Sequence, residues 1–423
     1  MSLRFGLSKE DITPGFPTCL ACSQKKDTLF KRIHDSIYVR CTVLCNDKHF
    51  IVILSYDLLF HSRELYDFVH THVKSFGNIN ISDILINYTH NHNAPSVRGY
   101  NDFSSSDEYE KLLKTKTISA LNKAFSDINF GSLEYGVIPG NWNINRRRPS
   151  GDGIKLAPNP NGPADKNMYV IKLLSSDNNL KGLVINYACH PVHYPDTLGL
   201  TSEYPGHLCK YLEEEYPNCL PIFIQGAGAD TRPLGTVEGD HFKHCSYNKI
   251  EKMAMSMKDT LISNITSNLF SPIEPSFSSI SFNIEIPFYD EGIMHFKKAI
   301  KDKNLSAHLR RNAEFIVKNY SKIKNSFTLE CGLIKFSDNL MMAHMGGEPV
   351  CEVKFNIEKI LNDYKLIFAG YTDACSYIVT DEMIEQGGYE VSCYLEYMHK
   401  GKIKKGINNL IASTFEHALL QLS

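Results

Sequence analysis

The sequence predicts an α/β protein, because segments with the pattern of strands alternate along the chain with segments with the pattern of helices. Residues 36–60 contain two apolar runs separated by the polar break NDKH, which is typical of a strand, a turn and a second strand. Residues 105–128 begin with Ser and Asp and then place apolar residues three and four apart, which is typical of an amphipathic helix.

The remaining elements follow in chain order. A helix is predicted over 62–76, and residues 149–167, rich in Pro, Gly, Asn and Asp, predict a long loop of the kind that often serves as a functional lid. Residues 290–325 are predicted to be largely helical, and a C-terminal helix is predicted over 403–421. Strand patterns occupy residues 81–90, 131–140, 168–176, 182–191, 219–228, 277–288 and 365–370. Without a repeat or a confident boundary, residues 1–423 are predicted to form a single domain.

Composition excludes several classes of function. The net charge of −2 on 423 residues gives no argument for nucleic-acid binding. No apolar run approaches the roughly 18 residues that a membrane-spanning helix needs. The N-terminus has no apolar region of signal-peptide length, so we expect a cytoplasmic protein. The 12 cysteines are scattered, which indicates buried thiols, and the single C-x-x-C at residues 19–22 is a weak metal or redox signal.

Residues able to carry chemistry follow several of the predicted core strands. They are His90, His92, His190, Asp230, Tyr371 and Tyr377. Because ligands of α/β sheets bind outside the carboxyl ends of strands, we expect these side chains to converge. Glu348 adds a carboxylate at the glycine-preceded start of a predicted helix.

Considered one at a time, these residues leave two interpretations open. Two histidines and one carboxylate match the ligands of a catalytic zinc site, which keeps one position open for water or substrate. The spacing of His90 and His92, however, is not the helical H-E-x-x-H signature. A lone histidine at a strand end is more often structural, and a glutamate at a helix start is usually a cap. The alternative is therefore a buried, hydrogen-bonded histidine pair without metal.

A set of short motifs resembles the neutral ceramidases and their bacterial relatives. The motifs stand in the order DITP, THNHNAP, NINRR, ACHP, QGAGADTRP, GGEP, AGYTDACSYIVT and GGYE, between about residue 5 and residue 395. Each motif is weak by itself, whereas their joint order and spacing are specific. The resemblance implies a neutral-ceramidase-like catalytic domain with mixed central sheets, flanking helices and a site at the strand carboxyl ends. It also implies a zinc-dependent amide hydrolase that cuts an N-acyl bond.

The same resemblance implies roles for individual residues. The implied zinc ligands are His90, His190, Glu348 and Tyr377. His92 would face the reacting carbonyl, and Arg146 and Tyr389 would line the pocket near the metal. Zinc polarises a carbonyl and lowers the pKa of bound water, and the three pocket residues would donate to the oxyanion.

The chain departs from the family at one motif that borders the expected site. Arg232 occupies the position of a serine thought to act in catalysis, and Thr231 is offset by one, which turns it to the opposite side of an extended segment. We therefore expect metal-bound water, and no serine, to attack the substrate. Asp230 is a candidate for orienting that water or a metal ligand, or else a turn residue bonded to the backbone. Arg232 either forms a surface salt bridge or binds a polar or anionic substrate, and Thr231 is the second candidate for binding the substrate.

These observations predict a zinc-dependent amidohydrolase acting on linear amides. A soluble, polar N-acyl compound is the preferred substrate, with ceramide and a place in lipid metabolism as the second choice. A zinc esterase and a non-catalytic relative that binds an acyl ligand are the alternatives. The family's C-terminal immunoglobulin-like domain is not expected. The expected cofactor is Zn²⁺ and the expected partner a small N-acyl molecule, with no nucleic acid and no transmembrane segment.

Overall fold

A computed structural model describes residues 2–21, 29–47, 49–60, 62–97, 107–193, 198–373 and 376–422. Strands and helices alternate through these ranges, so the predicted α/β class is confirmed. The strands are β1 Leu3–Asp11, β2 Arg32–Ile33, β3 Tyr38–Cys45, β4 Phe50–Tyr56, β5 Ile84–Tyr88, β6 Asn129–Pro139, β7 Asn143–Ser150, β8 Gly153–Asn159, β9 Asn167–Ser175, β10 Leu180–Tyr187, β11 Gly199–Leu200, β12 Leu220–Gln225, β13 Thr231–Pro233, β14 Val237–Glu238, β15 His241–Phe242, β16 Phe270–Ile273, β17 Ser278–Pro287, β18 Ser326–Ser337, β19 Leu340–Met345, β20 Glu348–Pro349, β21 Lys365–Ala369 and β22 Tyr377–Ile378. The helices are α1 Arg63–Val73, α2 Asp107–Ser126, α3 Glu203–Glu215, α4 Tyr247–Asn264, α5 Ile293–Lys301, α6 Ala307–Asn319, α7 Cys351–Ile360, α8 Asp381–Gln386, α9 Tyr389–Ser392 and α10 Ile407–Leu422.

Two mixed sheets form the centre of the molecule. The larger has the order β12-β10-β9-β6-β1-β3-β4-β5, with β16 added beside β6. Its pairs β4–β5 and β10–β12 are parallel, whereas the others are antiparallel. The smaller sheet has the order β17-β18-β19-β21, and only its β19–β21 pair is parallel. The mixed central sheets expected from the family resemblance are confirmed.

The two sheets pack against each other, and helices cover their outer faces. Side chains alternate between the faces of a strand, so Ile51 and Ile53 of β4 lie in one core with Phe336 and Met342 of the smaller sheet. Their neighbours on β4, with the opposite orientation, pack under α1 and α2. A third core joins β10 and β12 to α3 and α4, and a fourth joins the smaller sheet to α7 and α10. The result is a layered sandwich of helices, two sheets and helices.

Residues 149–167 do not form the predicted long loop. Residues 149–150 of β7 and residues 153–159 of β8 pair antiparallel across a turn at residues 151–152, and residues 160–166 connect β8 to β9. Pro158 is tolerated because β8 lies at the edge of the three-stranded sheet β13-β7-β8, where a missing N–H breaks no ladder. The Pro and Gly content therefore marked an edge hairpin, and the prediction of a lid-like loop was wrong.

The start of α7 also differs from the prediction. Glu348 and Pro349 form a two-residue strand that pairs in parallel with Tyr377 and Ile378, and α7 begins only at Cys351. Glu348 is thus held in extended backbone beside Tyr377, and it does not belong to the first turn of a helix.

The burial of the cysteines and the length of the helices bear on two further predictions. The ten cysteines within the described ranges are buried, free thiols, as their scattered positions predict. Cys19 of the C-x-x-C motif is buried, and Cys22 lies outside the described residues. None of the helices in the part of the chain that the structure describes is both long and apolar enough to cross a bilayer.

Candidate active site

Buried asparagines tie the ends of four strands together. Asn87 near the end of β5 donates to the carbonyl of Gly370 after β21, at 2.7 Å, and accepts from the amide of Gln225 at the end of β12, at 2.8 Å. Asn186 of β10 donates to carbonyls of β12 and β21, at 3.0 and 2.9 Å. Because a buried amide group must find partners, these bonds fix where the strand ends meet. The loops that follow β5 and β10 carry the predicted histidines.

His90 and His190 meet at this point, 100 residues apart in sequence. Their Nε2 atoms lie 3.0 Å apart, and both rings are buried. The Nδ1 atom of His90 contacts the carbonyl oxygen of Leu59 at 3.1 Å, and that of His190 contacts the carbonyl oxygen of Gly228 at 3.4 Å. Nδ1–H is therefore the donor in each ring, so each Nε2 presents its lone pair to the shared space. His90 adopts φ 62°, a rare backbone conformation for a residue with a side chain.

Glu348 completes a three-atom cluster. Its Oε2 atom lies 3.2 Å from Nε2 of His90 and 3.8 Å from Nε2 of His190. This buried oxygen has no donor of regular hydrogen-bond geometry among the described residues. The other oxygen, Oε1, accepts a hydrogen bond from the Tyr397 hydroxyl at 2.7 Å, which orients the carboxylate. Three acceptor atoms thus face one another without a proton donor between them.

The cluster fits a zinc ion by the separation and the chemical type of its ligand atoms. Tetrahedral ligands at about 2.0–2.1 Å from zinc lie about 3.3 Å from each other, and the three separations here are 3.0, 3.2 and 3.8 Å. Burial, followed by the charges of His90 and Arg146, holds the pKa of His190 well below its usual range. Burial would raise the pKa of Glu348, but the neighbouring His90 lowers it overall. Neutral imidazole and ionised carboxylate are the forms that zinc binds.

His92 lies beside the pair with an unused ring nitrogen. Its ring centroid is 4.9 Å from that of His90 and 5.3 Å from that of His190. The ligand atoms of the three histidines all lie within 4.8 Å of one another, so they form a possible three-histidine metal site. Nε2 of His92 is buried, and no described residue bonds to it. Burial and then the charge of His90 lower the pKa of His92 well below its usual value. His92 can therefore serve as a third nitrogen ligand or as a polar group facing a substrate.

Tyr377, the fourth implied ligand, is held at the edge of this cluster. Its backbone pairs with Glu348, so the two residues lie side by side. Its hydroxyl accepts a hydrogen bond from Nη2 of Arg146 at 2.8 Å. The role of Tyr377 as a metal ligand stays a prediction, since its described contact is to Arg146.

Arg146 is anchored by a carboxylate that the sequence did not single out. Its Nε donates to Oε1 of Glu390 at 2.8 Å, and Nη1 of the adjacent Arg147 donates to the other oxygen at 2.5 Å. All three charged side chains are buried. Glu390 directly follows Tyr389 in the GGYE motif, and that position was the one available signal for it. The paired carboxylate fixes the guanidinium of Arg146 toward Tyr377.

Tyr389 sits further out, at 39% exposure. Its hydroxyl donates to Oε2 of Glu396 at 3.0 Å, and its ring centroid is 5.7 Å from the guanidinium carbon of Arg146. Gly387 and Gly388 precede it with φ 72° and 101°, a conformation that glycine adopts without strain. The structure thus brings Tyr389 next to Arg146, while its hydroxyl is directed to Glu396.

Tyr371 was predicted from the sequence to lie near the site, but no function was assigned to it. Its ring centroid lies 4.4 Å from that of His90, and its backbone has the rare φ of 55°. Its hydroxyl is buried, and the described residues offer it no hydrogen-bond partner. A strained backbone and an unpaired buried hydroxyl beside the cluster point to a functional group.

Asp230 and Thr231 contact the surrounding scaffold. The carboxylate of Asp230 accepts from the amide of Cys351 at the start of α7, at 2.9 Å, and from Nδ2 of Asn145 at 3.1 Å. Thr231 donates its hydroxyl proton to the carbonyls of Gly228 and Ala188, at 3.1 and 3.2 Å. These contacts favour the structural alternative for Asp230, which joins β7 to α7. Arg232, the next residue, is part-buried and donates to a backbone carbonyl.

We expect Asp230→Ala to lower the free energy of unfolding by about 1–3 kcal/mol, because it leaves a buried amide and a buried helix N-terminus without an acceptor. Zinc content should stay unchanged. Burial raises the pKa of Asp230 to about 6. The hydrogen bonds from Cys351 act in the opposite direction, because they stabilise the ionised carboxylate. Urea unfolding and elemental analysis measure both effects, with exposed Asp152→Ala as the matched control. Lost turnover with unchanged stability would instead assign Asp230 a catalytic role.

The architecture is that of the neutral ceramidase fold. The crystal structure of neutral ceramidase from Pseudomonas aeruginosa matches 100% of this chain and 75% of its own, with a TM-score of 0.75 and 13% identity. A ceramidase complexed with C2 matches the same shares with a TM-score of 0.74 and 14% identity. No protein-family model and no curated protein matches the sequence. The resemblance inferred from the motifs is therefore confirmed, at the level of the fold.

Proposed function

We propose that the protein is a zinc-dependent hydrolase that cleaves the N-acyl amide bond of a ceramide-like or more polar, soluble substrate. The observation that carries this proposal is the convergence of Nε2 of His90, Nε2 of His190 and Oε2 of Glu348 within 3.8 Å. The likeness in fold to proteins named as ceramidases supports an amide as the substrate. We further propose that residues 1–423 act as one catalytic domain in the cytoplasm.

Within this proposal, His90, His190 and Glu348 would hold the zinc, and Tyr377 would be the fourth ligand. When bound, zinc polarises the substrate carbonyl and makes water a better nucleophile at neutral pH. The carbonyl oxygens of Leu59 and Gly228 accept hydrogen bonds from Nδ1 of His90 and of His190, respectively. Such outer contacts fix the orientation of each imidazole.

The polar groups around the cluster would stabilise the charge that develops on the carbonyl oxygen. Among the described residues, Nε2 of His92 and the hydroxyl of Tyr371 have no hydrogen-bond partner, and the guanidinium of Arg146 is held by Glu390. Fixed donors in a buried site act strongly because they need no reorganisation during the reaction. Tyr389 would border the same space through its contact with Arg146.

Water is proposed as the nucleophile, because no hydroxyl side chain is placed to replace it at the QGAGADTRP motif. Arg232 stands at the position of the family's serine, and the Thr231 hydroxyl is already bonded to two backbone carbonyls. A covalent acyl adduct on Thr231, detected by mass spectrometry, would contradict this part of the proposal.

The wild-type protein is expected to contain about one zinc per chain and to release fatty acid from an N-acyl amide. Elemental analysis measures the metal, and a fatty-acid release assay compares N-lauroylsphingosine and N-lauroylglycine with a matched lauroyl ester. Bound zinc with amide cleavage supports the proposal. Cleavage of the ester alone would assign a zinc esterase, and binding of the compounds without any cleavage would assign a non-catalytic relative.

A further inference from the structure

Arg232 is a part-buried cation that no carboxylate among the described residues contacts at ion-pair distance. Its Nη2 donates to the carbonyl oxygen of Val192 at 3.1 Å, and its guanidinium carbon lies 4.8 Å from the centre of the Phe242 ring. Its Nε is buried, and no described residue bonds to it. No carboxylate in the described ranges forms an ion pair with this side chain. The alternative of a surface salt bridge therefore finds no support in the described residues.

This arginine differs from its neighbour in how its charge is balanced. Arg146 shares the carboxylate of Glu390 with Arg147, whereas the described residues offer Arg232 a carbonyl and an aromatic ring. Burial, and then the nearby charge of Arg146, lowers the pKa of Arg232 to about 10. A part-buried cation without a counter-charge among the described residues is costly, so an anion bound next to it would be favoured.

A second unpaired polar atom lies close by. His193 follows Val192 in the chain, and its Nδ1 contacts Oε2 of Glu203 at 3.1 Å, while its backbone amide donates to Oε1 of the same residue at 2.8 Å. The other ring nitrogen, Nε2, is buried without a described partner. A Cβ atom at Gly235, three residues after Arg232, would lie 4.0 Å from that nitrogen. The region around Arg232 therefore has unmet hydrogen-bonding capacity on two residues.

The region borders the metal cluster. Val192, which Arg232 contacts, is two residues beyond His190. Strand β13 also pairs with β7 so that Arg232 lies opposite Ile144, two residues before Arg146. Thus one end of a substrate could meet Arg232 while its carbonyl meets the cluster.

We propose that Arg232 binds a carboxylate of the substrate next to the scissile bond, so that the substrate is an N-acyl amino acid. This inference rests on the proposed function and adds the substrate class. A guanidinium can bind a planar carboxylate through two parallel N–H donors. A carboxylate therefore accounts for an arginine at this position better than an apolar lipid chain would. His193 Nε2 would accept a hydrogen bond from a polar donor of the same substrate.

The test measures binding, so it does not depend on turnover. N-lauroylglycine and its neutral analogue N-lauroylglycinamide are titrated calorimetrically into the zinc-containing wild type. We expect the acid to bind about 10- to 100-fold more tightly, the range for a charged hydrogen-bonded pair. Arg232→Ser should abolish this preference and Arg232→Lys should retain part of it. Equal binding of both compounds by wild type, or a preference that persists in Arg232→Ser, would overturn the inference.

Two controls sharpen the result. Arg311→Ser removes an exposed arginine of α6 and should leave the preference unchanged. Asp196→Asn removes the carboxylate nearest in sequence to Val192 among residues 194–197, which lie outside the described ranges. If this variant creates a preference that wild type lacks, Asp196 balances Arg232 and the proposed subsite is wrong.

The binding data, combined with the fatty-acid release assay, separate this inference from the proposed function. An Arg232-dependent preference for the acid, with no amide cleaved, would support the subsite and contradict the hydrolase. Cleavage of the acid and the neutral amide with equal affinity would support the hydrolase and contradict the subsite. Thermal unfolding of Arg232→Ser establishes that the variant is folded before either conclusion is drawn.

Discussion

His190→Ala is expected to lower zinc from about one ion per chain to nearly none, with turnover reduced on the order of 10³-fold or more. The imidazole supplies one of three acceptor atoms that lie within 3.8 Å of one another, and alanine offers no replacement. Several kcal/mol of transition-state stabilisation by a metal corresponds to this loss of rate. Elemental analysis of the purified variant and the fatty-acid release assay provide the two measurements.

His344→Ala is the matched control for this variant. His344 is buried on β19 like His190 in its loop, but it does not belong to the cluster. The His344→Ala variant should therefore keep its zinc, even if the cavity left by the missing imidazole lowers its stability. Full zinc content in folded His190→Ala would show that the metal assignment is wrong.

His92→Ala should retain zinc and lose roughly 10²- to 10³-fold in turnover, the usual cost of removing one oxyanion donor. The motivation is the buried, unpaired Nε2 of His92 beside the proposed ligands. Because the three histidines also form a possible metal site, the zinc measurement decides between two roles. Loss of zinc would make His92 a ligand. Unchanged zinc and unchanged turnover would make it structural.

A conservative substitution provides a second test of the role of His92. His92→Asn keeps a polar side chain and serves as the conservative variant. If His92 acts as a donor, the asparagine variant should recover part of the turnover that alanine loses, while zinc stays at the wild-type level. If it acts as a ligand, neither variant should bind zinc fully.

Local pattern predicted most of the elements. Apolar runs bounded by polar breaks predicted β3, β4 and β5, and these strands are buried on both faces of the sheet. The spacing of three and four predicted α2. Residues 149–167 were missed because Pro and Gly are compatible with an edge hairpin as well as a loop, and only the pairing partner distinguishes the two.

The site was predicted in part. His90, His190 and Glu348 were named from motif order, and their separation by 100 and 158 residues gave no distance between them. The anchoring of Arg146 by Glu390 and the position of Tyr371 against His90 depend on contacts between distant segments. Asp230 was a candidate catalytic residue, because its position in the sequence does not distinguish a carboxylate that caps a helix from one that takes part in the reaction.

The sequence by itself determined the α/β class, most strand and helix positions and the residue types able to bind metal, since these follow from local periodicity and side-chain chemistry. The tertiary structure alone decided which nitrogen of each histidine faces the cluster and which arginine has a carboxylate partner. Hydrogen bonds from Nδ1 to the carbonyls of Leu59 and Gly228 set the first, and the approach of Glu390 to β7 set the second. Both depend on long-range packing, because a ring tautomer and an ion pair are fixed only when distant backbone segments come together.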